Sequence, residues 1–123
     1  MSVYLQPGSV SGSQLFRGVI YADAGGAPGA LLGLSSELTF VNPGGAGWYD
    51  LPFSSPVALQ PGSYWIGIVS GGSSYVAAFR YASVSGSRVY NADSYADGVS
   101  DPFGAGSTDS EQMSLYASYA TSS

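Results

Sequence analysis

The 123-residue chain contains no histidine, no cysteine and no lysine. Each absence removes a chemistry. Without histidine or lysine its many serines lack the usual activating base, and no G-x-S-x-G turn occurs. Without cysteine and histidine, zinc loses its preferred ligands. Charge is also scarce: 9% of residues carry it, against roughly 25% in typical domains. The only cations are Arg17, Arg80 and Arg88, and the net charge is −5. A phosphate backbone needs several neutralising side chains, so nucleic acid is excluded as a partner, and an anionic membrane surface for the same reason. No apolar run approaches the roughly 20 residues of a spanning helix, and Met1-Ser2-Val3 is unlike the start of a signal peptide.

What is present is aromatic and turn-rich. There are ten tyrosines, two tryptophans and five phenylalanines beside 18 glycines and seven prolines. The hydrophobic fraction of 45% is that of a globular chain, and the length fits one domain. Solubility then rests on Ser, Gly, Asn, Gln and Tyr hydroxyls. Low charge with few Lys and Arg leaves few tryptic sites, which suits an extracellular location. Lack of cysteine is neutral on that point.

Short β-prone runs recur between Gly, Pro and Ser clusters, the spacing of an all-β, two-sheet antiparallel sandwich with jelly-roll-like order. Strands are expected at Ser2–Leu5, Gln14–Ala22, Glu37–Val41, Trp48–Phe53, Ser63–Val69, Tyr75–Ala82, Val89–Ala92 and Gln112–Tyr119. Residues 1–119 form a single module and 120–123 a frayed tail. Single helical turns are expected at Ala30–Ser35 and Asp109–Gln112. Alternation assigns faces. Tyr49, Leu51 and Phe53 share a core side, as do Tyr64, Ile66 and Ile68, leaving Trp48 and Trp65 on the opposite side. The expected core adds Phe16, Val19, Tyr21, Leu38, Phe40, Phe79 and Leu115.

Sugars present apolar C–H faces that pack on aromatic rings, while a few polar groups hold the hydroxyls. Trp48, Trp65, Tyr90 and Tyr95 are the candidate stacking rings. Asn91, Asp93, Asp97 and Arg80 are the candidate polar contacts. For each ring the plain alternative is core packing.

Asp93-x-Tyr95-x-Asp97-Gly98 partly matches a calcium loop, with Asp101 following. Tyr95 and Gly104 occupy positions that should be acidic, so Asx turns are the simpler reading and no cofactor is assigned; a structural calcium is the sole exception considered. Asp23 with Asp50 would be a carboxylate pair only if the fold brought them to one cleft.

The strings VIYADAGGAPGALLG (Val19–Gly33), GWYDLPFSSPVALQPGSYWIGIVSGG (Gly47–Gly72), YNADSYADGVSDPFG (Tyr90–Gly104) and MSLYASY (Met113–Tyr119) resemble β-sandwich modules of bacterial extracellular proteins. Such modules look like jelly-roll carbohydrate-binding or accessory domains attached to polysaccharide-acting enzymes and surface proteins. The resemblance implies a non-catalytic role with a polysaccharide or glycan partner, in a secreted or cell-surface protein. Those modules carry more sequence ahead of the Ser2–Leu5 strand, so either the sequence is trimmed there or an edge strand is missing and an open edge is expected in its place. Low charge and an open edge make self-association into a structural or adhesive block the rival reading.

Overall fold

The computed structural model describes residues 1–42, 45–54, 57–60, 62–72, 76–79, 81–90, 101, 103–104 and 106–117, with backbone alone at 72 and 81–87. It is an all-β, two-sheet antiparallel sandwich. In chain order the strands are β1 (Ser2–Pro7), β2 (Gly12–Asp23), β3 (Pro28–Leu34), β4 (Leu38–Asn42), β5 (Gly47–Asp50), β6 (Tyr64–Gly72), β7 (Ala77–Phe79), β8 (Tyr81–Tyr90), β9 (Ser107–Met113) and β10 (Leu115–Tyr116).

Each sheet is organised on one central strand. β1 has β5 on one side and, end to end on the other, β10 and β7. β2, the longest strand, has β6 on one side and both β3 and β4 on the other. β8 and β9 form a separate two-stranded ladder. The open edge expected along Ser2–Leu5 is therefore absent: Ser2 and Val3 pair with β5 and β10, and Leu5 with β5 and β7.

The core follows from alternation on the two central strands. Val3 and Leu5 of β1 point inward to meet Phe16, Phe40, Leu51, Val76 and Ala77, with Leu38, Tyr49, Ile68, Phe79 and Leu115 packed around them. Phe16 meets Phe79 edge to face at 5.7 Å, and Phe40 meets Tyr49 at 5.4 Å. Val19, Ile20 and Tyr21 are all buried although they are consecutive, so β2 is covered on both faces there. Tyr21 is buried on the side opposite Phe16, where Phe103 covers it at 5.3 Å. Two expected core residues lie outside the core: Phe53 is half-buried beside Gly33, and Ile66 is 40% exposed on β6, beyond which no strand pairs among the described residues.

Two expected helical turns are strands. Ala30–Ser35 falls largely in β3, whose backbone completes the ladder along Val19–Asp23. Its leucines are good helix formers, but the pairing demand of β2 outweighs that local preference. Asp109–Gln112 lies in β9, where Asp109 faces Arg88 across the ladder. The turn between β2 and β3 is built on its glycines. Gly25 and Gly26 have φ of 67° and 92°, Asp23 accepts the Gly26 N–H at 3.1 Å, and Ala24 N–H reaches Ala27 at 2.7 Å.

Candidate functional site

Trp48 stands outward on β5, 53% exposed, since its neighbour Tyr49 takes the inward position against Phe40. Opposite it on β1 is Tyr4, between the inward-facing Val3 and Leu5. On the far side of β1, Tyr116 of β10 is 49% exposed, and its neighbour Leu115 packs on the core. Three strands thus deliver three rings to one outer face. Trp48 lies 5.6 Å from Tyr4 and 5.1 Å from Tyr116, with interplanar angles of 85° and 62°. Ser2 is buried beside them, and its hydroxyl donates to Asp50 at 2.7 Å. A small residue there leaves room for the flanking rings.

Trp48 and Tyr116 also line a cleft of about 930 Å³ that runs along β6 to the β8–β9 ladder. Trp65 and Tyr90 line the same cleft, so three of the four expected stacking rings share one cavity. Their situations differ. Trp65 is half-buried, its indole N–H donating to Asp23 at 2.9 Å, which fixes the ring. Tyr90 is 47% exposed, with the Arg88 guanidinium 5.1 Å from its ring centre. Tyr95, Asn91, Asp93, Asp97 and Arg80 lie outside the described residues.

The cation in the cleft is Arg88, which sequence reasoning passed over. Its guanidinium donates to Asp109 through Nε at 2.8 Å and through a second, closer N–H, and it meets Glu111 at 2.9 Å. The hydrogen bond from Arg88 holds the Asp109 carboxyl below the ordinary carboxylate range, helped by the Glu111 N–H. A depressed pKa stabilises the fold above the group's ordinary value and loses that contribution as pH falls through the depressed one. Protonating Asp109 is therefore expected to loosen the β8–β9 ladder. Asp109→Asn should flatten the change in urea midpoint between about pH 5 and about pH 2 relative to the parent chain. An identical pH profile in both proteins would show that Asp109 does not couple to folding.

Of the calcium-loop expectation only Asp101 is described, since Asp93, Tyr95, Asp97 and Gly98 lie outside the described residues. Asp101 accepts the Leu31 N–H at 2.9 Å, and Phe103 N–H donates to Gly29 at 2.9 Å, so this segment ties down onto β3. Among the described residues no group of three or more acidic side chains is placed to hold a metal ion. The phenols of Tyr49 and Tyr64 are engaged by carbonyls four residues back, Gly45 and Gln60. Tyr49 also packs on the core as its parity indicates, whereas Tyr64 lines the cleft. Tyr4 and Tyr116 were missed, yet the strand alternation that exposed Trp48 also marks them: each sits next to inward aliphatics in Val3-Tyr4-Leu5 and Leu115-Tyr116.

The fold and this face define an antiparallel β-sandwich with an outward aromatic array. Compared with protein-family models, curated proteins and solved structures, the chain matches none.

Proposed function

We propose that this chain is a non-catalytic glycan-binding module that works outside the cell, holding a larger protein near polysaccharide. The observation that carries the reading is the Tyr4–Trp48–Tyr116 array on the outer face of the β1 sheet. A half-exposed tryptophan flanked by two tyrosines keeps a large apolar area in water, and such contiguous patches commonly serve recognition. Sugar C–H faces match it, and Asp50, Arg88 and Glu111 are nearby polar groups for hydroxyls. In this reading Trp65 and Tyr90 extend the contact along the cleft. Tyr95 with Asn91, Asp93, Asp97 and Arg80 remain proposed contacts.

Rings inclined at 85° and 62° to Trp48 cannot lie together with it on one flat lattice. A free glycan chain or chain end, which can turn between rings, suits them better than a crystalline surface. The lack of histidine, cysteine and lysine supports binding without turnover.

Affinity electrophoresis in gels containing soluble polysaccharides tests this. Trp48→Ala and Tyr116→Ala are each expected to weaken retention about tenfold, or about 1.4 kcal/mol. Retention by both variants equal to that of the parent chain would remove the site.

A further inference from the structure

We propose that the outer edge of β6 docks the same edge of a second copy of this chain, paired antiparallel about Gly67. This rests on the β6 edge and not on the glycan reading. β6 bonds to β2 along one side, and among the described residues no strand pairs with its other side.

The polarity of that edge follows from β2. Gly18 directs both its N–H and its C=O to Ser35, on the β3–β4 side. Successive residues of an antiparallel strand turn their backbone groups to opposite sides. Arg17, Val19 and Tyr21 therefore turn theirs toward β6, where Val69, Gly67 and Trp65 face them. That leaves Tyr64, Ile66, Ile68 and Ser70 with N–H and C=O pointing outward.

These four positions are symmetric about Gly67. In an antiparallel pair centred there, Tyr64 faces Ser70 and Ile66 faces Ile68, each as a hydrogen-bonded pair. Gly67 meets its own copy in the close, non-hydrogen-bonded type of pair, Cα atoms about 4.5 Å apart, with no side chains to collide.

The edge also lacks the usual protection against such pairing. Tyr64–Gly72 contains no charged residue and no proline. Ile66 is 40% exposed on it, and the cleft of about 930 Å³ alongside opens among the exposed Trp48, Tyr90 and Tyr116. A neighbouring strand needs a lateral spacing of about 4.8 Å. An uncharged, self-symmetric edge is best matched by itself, and the net charge of −5 falls on no residue of this strand.

The cysteine-free chain makes the test direct. A cysteine at position 67 fits the fold, since an added Cβ meets only Val19 Cγ2, at 3.4 Å. Under mild oxidation Gly67→Cys is expected to give at least tenfold more covalent dimer than Ser70→Cys, whose copies lie far apart in this register. Sedimentation velocity of the parent chain at rising concentration should show monomer passing to dimer. Ile66→Lys, at an exposed position, should stay folded by circular dichroism and shift the equilibrium to monomer. A parent chain that remains monomeric, equal cross-linking at 67 and 70, or an undiminished dimer in Ile66→Lys would each overturn the proposal.

Discussion

Replacing Phe16 with alanine is expected to destabilise the protein by about 3–5 kcal/mol, the range for emptying a fully buried phenylalanine site. Phe16 has no exposed surface and sits at the middle of the inward face of β2. It faces Leu38 on one neighbour, Ser70 on the other, and touches Phe79 across the sandwich. Both sheets are held by central strands paired on both sides, so the walls cannot close on the cavity without breaking ladder bonds. Against a total stability of about 5–15 kcal/mol, a loss of that size leaves little folded protein at moderate urea. Leu32, 42% exposed on β3, is the control: Leu32→Ala should change stability by about 0.5 kcal/mol or less. Urea midpoints of the two variants decide it. Similar midpoints would mean that Phe16 is not at the packing centre.

Ser35→Ala is expected to cost about 1–3 kcal/mol although it deletes a single oxygen. Ser35 is 1% exposed. Its hydroxyl accepts the buried Gly18 N–H at 2.7 Å and donates to the Ser36 carbonyl at 2.9 Å. Gly18 lies where β2 passes from pairing with β4 to pairing with β3, so the ladder offers that amide no strand partner. Alanine leaves the amide buried and unsatisfied, because Met1 and Leu51 fill the space beside Gly18. Amide exchange adds a specific readout: Gly18 should lose protection by more than the global loss of stability explains. A uniform loss across β2 would indicate packing rather than this hydrogen bond.

Much of the fold is legible in the chain, and the reason is local. A strand repeats every two residues, so Phe16, Phe40, Leu51 and Ile68 announce their inward positions and Trp48 its outward one. The Gly25-Gly26 turn is likewise written in residues that accept positive φ. β3 escaped notice because Ala30, Leu31 and Leu32 favour helix locally, and only the unpaired backbone of β2 makes them a strand. The expected strands Tyr75–Ala82 and Val89–Ala92 leave a gap that β8 spans, with a register shift against β9 between Ser83 and Arg88. Parity places Ile66 in the core, but among the described residues no strand pairs with β6 beyond it.

The candidate site shows the same division. Tyr4, Trp48 and Tyr116 are far apart in sequence, and alternation alone states only that each faces away from the aliphatics beside it. Their meeting depends on β1 lying between β5 and β10. The all-β class, the alternating faces and the absence of histidine, cysteine and lysine are properties of composition and of period two, and these are readable along the chain. Which strand lies beside which is a matter of long-range pairing, where closing a loop costs entropy that only the assembled ladder and core repay. That pairing made β1 a central strand, left β6 with β2 as its one strand partner among the described residues, and gathered three separate rings onto one face.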